Sequence, residues 1–133
     1  MNELKKESDI KDYMAKNKDD LINVSLSEYL QEMLDKYNIK KNNAIRKSEL
    51  DLIYGYQIFS GKRKNPSRDK LIQLIFSMEM DITDAQRLLK IAGVNELYPR
   101  VKRDSVIIFA INKKISLYQC DELLLECGEK TIL

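Results

Sequence analysis

The sequence predicts an all-α fold, and three observations support that prediction. Apolar residues recur at the three-and-four spacing of helices through most of the 133 residues. Serine, threonine, asparagine or aspartate stands where these patterns begin, as N-capping residues do. The chain has only four glycines and two prolines, and most of them fall between the patterns. A chain of this length builds one domain's core without disulfides or metals.

The most regular helix begins at Ser25, whose hydroxyl can cap it while Glu28, three residues on, completes a capping box. One apolar stripe follows, made of Leu26, Tyr29, Leu30, Met33, Leu34 and Tyr37. Residues 1–24 form an N-terminal extension with a weakly amphipathic helix built on Leu4, Ile10, Tyr13 and Met14.

Two short helices are predicted next, separated by a tight turn at residues 48–50. Asn42 or Asn43 can cap the first, and Asp51 can cap the second, which ends before Gly61. This helix-turn-helix pattern is the most informative arrangement in the chain.

The glycine inside the second short helix needs a packing reason, because glycine costs a helix ~1 kcal/mol relative to alanine. The missing side chain of Gly55 coincides with a bulky residue, Ile45, in the first short helix. We expect these two residues to face each other where the helices cross.

The fourth and fifth helices have clear start signals. Pro66 and Ser67 open the fourth, and Thr83 with Gln86 forms a second capping box for the fifth, which Gly93 closes. Residues 25–93 therefore contain five predicted helices.

The run Val106–Ile111 consists of six apolar residues and fits a buried strand as well as a buried helix. We predict a helix, because a lone strand would have no partner. Ser116 with Gln119 forms a third capping box for a last helix, which Gly128 stops.

The composition excludes several classes of function. The chain has no histidine, the commonest general base and metal ligand, and its scattered glycines form no nucleotide-binding loop. Cys120 and Cys127 lie seven positions apart in one predicted helix, roughly 10 Å, beyond disulfide reach, and serve as small apolar residues. We therefore expect no enzymatic activity, cofactor, metal or small-molecule ligand. No apolar run approaches the ~20 residues of a membrane span, so we expect a cytoplasmic protein.

The net charge of +2 hides a strong segregation of charge. Residues 61–70 carry five basic groups and one acid, and residues 100–114 carry the same numbers. Residues 115–133 carry four acids and one lysine. This pattern predicts a basic face.

Two stretches around the second short helix are distinctive. Residues 54–64 read Tyr-Gly-Tyr-Gln-Ile-Phe-Ser-Gly-Lys-Arg-Lys, and residues 66–71 read Pro-Ser-Arg-Asp-Lys-Leu. In these stretches the chain resembles the phage-repressor/Cro-like helix-turn-helix regulators, the XRE family. The likeness covers that family's recognition helix, closing glycine and basic loop. It extends, through residues 96–100 and the Arg-Asp pair at 103–104, to a bacterial subgroup with two extra C-terminal helices.

The resemblance implies a lambda repressor-like DNA-binding domain at residues 25–93 and a C-terminal helical hairpin at residues 94–133 packed on it. It implies a sequence-specific transcriptional regulator of duplex DNA, acting as a repressor. We expect a homodimer on a two-fold site, since one short helix reads too few bases for specificity.

The resemblance also assigns roles to individual residues. The helix at residues 51–60 would enter the major groove. The base-reading side chains would be Leu52, Ile53, Tyr54, Tyr56 and Gln57, the last suited to adenine. The phosphate-binding side chains would be Lys41, Asn43, Lys62, Arg63, Lys64 and Arg68.

Two features depart from the family pattern. Glu49 stands in the turn where glycine is usual, and Ile45 stands where a small residue is usual. The recognition helix also contains no Arg, Lys or Asn, the side chains that most often read bases. The alternative function is therefore a protein-interaction adaptor, in which the tyrosines and aliphatic residues of the same helix dock a protein partner.

Overall fold

The computed structural model describes residues 24–133, and the helix predicted around Leu4–Met14 lies outside this range. Within it every regular element is a helix, which confirms the all-α prediction. The seven helices of the described range are α1 (Leu26–Lys36), α2 (Lys41–Lys47), α3 (Leu52–Ser60), α4 (Arg68–Ser77), α5 (Ile82–Ile91), α6 (Lys102–Lys113) and α7 (Leu117–Glu126).

Four predicted N-caps are confirmed. The side chains of Ser25, Asp51, Ser67 and Ser116 each accept a hydrogen bond from the backbone N–H three residues on. At α7 the capping box is complete, because the side chain of Gln119 also accepts from the backbone N–H of Ser116. These local bonds fix where α1, α3, α4 and α7 begin.

Two predicted caps are wrong. α2 begins at Lys41 without any side-chain cap, so Asn42 and Asn43 lie inside its first turn. α5 is capped by Asp81, whose carboxylate accepts from the N–H of Asp84 at 2.8 Å, and not by Thr83.

Gln86, the expected partner of Thr83 in the capping box, binds a different segment of the chain. The side-chain amide of Gln86 exchanges two hydrogen bonds of 2.7 Å with the backbone N–H and C=O of Leu97. Leu97 is buried, so this pair ties the segment after α5 to the core.

The core centres on α4, which packs against α2, α5 and α7. Its apolar side chains Leu71, Ile72, Leu74 and Ile75 are fully buried. α1 packs against α3 and α5, and α6 packs against α5 and α7. Cys120 on α7 is also fully buried, which confirms the prediction that it serves as a small apolar core residue.

A polar cluster joins α1 to the start of α5. The Asp84 carboxylate accepts from Lys36 Nζ at 2.6 Å and from the Tyr37 hydroxyl at 2.7 Å, and the Asp84 carbonyl accepts from the hydroxyl of buried Tyr29 at 3.0 Å. The Tyr37 hydroxyl in turn accepts from the N–H of Asp81 at 2.9 Å. Burial is the main reason that the pKa of Tyr37 is raised to about 12.

The ambiguous run Val106–Ile111 is helical, as predicted, and lies within α6. α6 buries Ile107, Ala110 and Ile111, whereas Phe109 remains half exposed. The α6–α7 hairpin therefore covers the core with one stripe of α6 and leaves an apolar side chain outside.

Candidate nucleic-acid interface

The turn between α2 and α3 is held from both sides. The hydroxyl of buried Ser48 donates to the carbonyl of Ile45 and accepts from the N–H of Leu50 at 3.2 Å. The Ser48 carbonyl accepts from the side-chain amide of Gln73 on α4 at 2.9 Å. The α2–α3 unit is thereby fixed to the core with its turn intact.

The crossing of α2 and α3 is as close as the sequence predicted. A Cβ atom added to Gly55 would lie 2.5 Å from Cγ2 of Ile45, nearer than two carbon atoms can approach. Gly55 and Ile45 are both buried, and the prediction that they face each other is confirmed. The glycine allows α3 to lie directly against a β-branched side chain of α2.

The outward face of α3 is largely apolar. Ile53 is 70% exposed, Leu52 50% and Tyr56 45%, whereas Ile58 and Phe59 on the opposite face are buried. One shallow depression brings together side chains from α2, α3 and the following loop. It is lined by Lys41, Ile53, Tyr56, Gln57, Ser60 and Lys62.

Three of the predicted cations have no ion-pair partner in the described range: Lys41 and Lys62 border this face, and Lys64 lies in the loop after α3, near Gln57. The side chains of Lys41, Lys62 and Lys64 are exposed, and none is paired with a carboxylate of the described residues. Lys41 lies at the start of α2, and the other two follow α3 directly. Asn43 is also exposed, in the first turn of α2.

Tyr54 and Gln57, two of the predicted base-reading residues, both contact Arg63. The guanidinium of Arg63 lies 4.6 Å from the centroid of the half-buried Tyr54 ring, and the ammonium of Lys70 lies 4.9 Å from it. Arg63 Nη2 donates to Gln57 Oε1 at 3.1 Å, and the N–H of Arg63 donates to the Gln57 carbonyl at 3.0 Å. Tyr54 is a platform for two cations, and the amide oxygen of Gln57 is occupied.

The sequence did not predict that Lys70 contacts Tyr54 or that Arg63 contacts Tyr54 and Gln57. Arg63 comes six positions after Gln57, across the left-handed Gly61, so no helical periodicity links the two. Lys70 belongs to a different helix, α4. Neither contact leaves a local pattern in the sequence.

The phosphate-binding role predicted for Arg68 requires correction. Its guanidinium donates to both carboxylate oxygens of Asp104, at 3.0 and 2.8 Å, and to the carbonyls of Asn95 and Glu96. Asp104 is buried, so this pair lies inside the fold. The guanidinium of Arg68 is committed to joining α4 to α6.

Glu49, in the turn between α2 and α3, adopts a left-handed backbone conformation with φ of 66°. The pKa of Tyr118 on α7 is raised, chiefly by a hydrogen bond to the Glu49 carboxylate. Glu49 therefore interacts with α7, and the left-handed conformation explains why glycine is usual in such a turn.

No protein-family model matches the chain, and no curated protein or solved structure is significantly similar to it. Among the described residues, no helix is long and apolar enough to cross a membrane. Function must therefore be inferred from the chemistry of the α2–α3 surface itself.

Proposed function

We propose that this chain is a sequence-specific transcriptional regulator, a repressor, that binds duplex DNA in the cytoplasm by placing α3 in the major groove. A single observation carries the proposal: α3 presents an outward face next to Lys41 and Lys62, the following loop adds Lys64 near Gln57, and none of these lysines has a carboxylate partner in the described range. Unpaired cations beside an exposed short helix suit a phosphate backbone on either side of a groove.

The dimensions agree with this use. An α-helix such as α3, with its side chains, is roughly 10–12 Å in diameter. The major groove is roughly 12 Å wide and admits one helix. In a helix-turn-helix motif the second helix enters the groove while the first crosses the backbone, so Lys41 at the start of α2 would contact phosphate.

In this proposal α1 to α5, within residues 25–93, form a lambda repressor-like DNA-binding domain, and the hairpin within residues 94–133 is an addition to it. The packing of α1 on α3 and of α2 on α4 supports that arrangement, because both hold the α2–α3 unit against one core.

A homodimer belongs to the same proposal. Phe109 on α6 is half exposed, and the ammonium of Lys113 lies 5.9 Å from the centroid of its ring. α7 exposes Leu125 between the acids Glu122 and Glu126. A second copy of the hairpin would cover these apolar side chains and match basic α6 with acidic α7.

The test compares two triple-alanine variants in binding to duplex DNA over a range of salt concentrations. Replacing Lys62, Arg63 and Lys64 should weaken binding and lower the magnitude of the log affinity versus log salt slope by about 0.9 for each phosphate that is no longer neutralised. The matched control replaces Lys90, Arg100 and Lys130, three exposed cations on other elements, and should leave affinity and slope unchanged.

Equal behaviour of the two variants would show that the α3 face is not the binding face. The mass of the complex on a selected two-fold site supplies the second readout. Two chains per site are expected, and one chain per site would contradict the homodimer.

A second candidate, a protein-interaction adaptor, is favoured by the apolar outer side chains Leu52, Ile53 and Tyr56. Aromatic residues are common hot spots of protein interfaces. If no duplex from a random pool were preferred, and a protein partner no longer bound when Tyr56 and Ile53 became alanine, the adaptor function would replace the proposed one.

A further inference from the structure

α3 lacks the side chains that most often read bases. Between Leu52 and Ser60 it contains no arginine, lysine or asparagine, and Gln57 is its only amide. Specific recognition in the major groove relies above all on arginine or lysine to guanine and on asparagine or glutamine to adenine. The helix therefore has one conventional candidate, Gln57.

Gln57 is poorly arranged for adenine. A bidentate contact to adenine uses the amide oxygen to accept from N6 and the amide nitrogen to donate to N7. The Oε1 atom of Gln57 already accepts from Arg63 Nη2 at 3.1 Å. Gln57 and Arg63 together therefore present mainly N–H donors to a ligand.

Arg63 is held against α3 by three contacts. Its backbone N–H donates to the Gln57 carbonyl at 3.0 Å, its guanidinium donates to Gln57 Oε1, and the same guanidinium lies 4.6 Å from the centroid of the Tyr54 ring. The side chain is nevertheless exposed. Such contacts lower the ordering cost that a flexible loop arginine would incur on binding.

The N–H donors of the Arg63 guanidinium that do not bind Gln57 are suited to recognising guanine. An arginine has five N–H donors in a fixed fork, and the described contacts of the Arg63 guanidinium use one of them, Nη2 to Gln57. Guanine presents two acceptors, N7 and O6, in the major groove, and arginine binds both at once. The side-chain ammonium groups of Lys62 and Lys64 form no ion pair within the described residues and remain suited to phosphate.

We propose that Arg63 is the principal base-reading residue of the chain, that it selects guanine, and that Gln57 and Tyr54 are positioning residues for it. This inference rests on the proposed DNA-binding function and names the base that its site recognises. The recognition helix would thus obtain its missing arginine from the loop that follows it.

The experiment begins with selection of preferred duplexes from a random pool by the wild-type chain. The ratio of affinities for the selected and a random duplex is then measured for variants. Arg63→Lys keeps the positive charge but loses the fork, so the ratio should fall about 5- to 150-fold, with loss of preference at one guanine per half-site. The salt slope should stay at its wild-type value, because the charge is retained.

Lys64→Ala is the matched control. As a phosphate contact it should weaken binding to both duplexes by the same factor and lower the slope by about 0.9, so that the affinity ratio stays unchanged. Gln57→Leu should reduce the preference for the same guanine, because Arg63 loses the acceptor that orients it. All three substitutions are at partly or fully exposed positions, and thermal unfolding checks that each variant is folded.

The possible outcomes distinguish failure of this inference from failure of the proposed function. Binding without guanine at the position that Arg63 controls, or an Arg63→Lys variant with wild-type ratio, would overturn the inference while DNA binding stands. An adenine preference that Gln57→Leu abolishes would also overturn it. Failure of the wild-type chain to prefer any duplex would overturn the proposed function itself.

Discussion

The two basic segments of this chain have the same net charge and different structural roles. In residues 61–70 three consecutive cations, Lys62, Arg63 and Lys64, stay exposed beside α3. In residues 100–114 Arg103 is partly buried and bound to Asp69, and Lys113 lies over the half-exposed ring of Phe109 on α6. Net charge along a sequence therefore does not identify a binding surface. In each segment one arginine is bound by a carboxylate more than thirty positions away, and the other cations have no such partner in the described range.

In each segment one arginine forms an ion pair with an aspartate of the other segment. Arg68 and Asp69 begin α4, and Arg103 and Asp104 lie at the start of α6. Arg68 binds Asp104, and Arg103 binds Asp69 through two hydrogen bonds of 3.1 Å, so the two Arg-Asp dipeptides exchange partners. We call this arrangement the reciprocal pair.

The largest expected effect tests the reciprocal pair. Asp104→Ala should lower the free energy of unfolding by about 3–5 kcal/mol, because it leaves the Arg68 guanidinium without its buried carboxylate. The Asp104 side chain is 5% exposed and also accepts from the N–H of Tyr98 at 3.0 Å. Urea unfolding followed by circular dichroism measures the change.

Asp69→Ala is the matched control within the same arrangement. Its side chain is 27% exposed, so water can solvate Arg103 after the substitution and the loss should be less than half as large. Similar losses for both variants, or a loss under about 1 kcal/mol for Asp104→Ala, would contradict a buried structural role for the Arg68 pair.

The next effect concerns the α2–α3 unit beside the first segment. Gly55→Val should lower the free energy of unfolding by roughly 1–3 kcal/mol, because the new side chain would overlap Ile45. Combining it with Ile45→Ala should cost less than the sum of the two single substitutions, as measured by a double-mutant cycle. Additive losses would mean that the two positions do not share the crossing.

The smallest expected effect is a loss of stability at alkaline pH, to which the arginines of the reciprocal pair do not contribute. Arginine keeps its charge up to at least pH 12, so alkaline loss of stability must come from elsewhere. Burial raises the pKa of the Cys120 thiol from 9.0 to about 12. The unfolded chain releases this proton near pH 9 and the folded chain does not, so stability is fully present below pH 9 and is lost as the pH rises towards 12.

For Cys120 this loss should amount to about 1 kcal/mol between pH 9 and pH 10. Tyr37, whose pKa is raised to about 12, adds a loss of the same sign that begins near pH 10. Urea unfolding at each pH measures the sum, and Cys120→Ala should make the curve flatter between pH 9 and pH 10. An unchanged curve in that variant would show that Cys120 does not titrate in the unfolded chain as expected.

The sequence predicts those features of the fold that depend on contacts between residues close together in the chain. Ser67 and Ser116 were identifiable as caps because the bond partner lies three residues away. The contact of Gly55 with Ile45 was predictable because the missing bulk and the added bulk fall in neighbouring helices. The choice of Asp81 over Thr83 was not, because Gln86 binds the backbone of Leu97, eleven positions away.

The candidate site was predictable to the same limited extent. The exposure of Ile53 and Tyr56 follows from the phase of α3, which also buries Ile58. The roles of Arg63 and Arg68 depend on groups in other elements. Arg68 finds its carboxylate thirty-six positions away, and no local pattern announces a partner at that distance.

The reciprocal pair has a consequence for how the molecule opens. Neither Arg68 nor Arg103 can keep its carboxylate unless the starts of α4 and α6 stay together, so separating them breaks both pairs at once. Arg103 also donates to the carbonyls of Lys130 and Thr131, which adds the segment after α7 to the same event. Amide hydrogens of α4 and α6 should therefore exchange with solvent through one shared opening, with a common free energy.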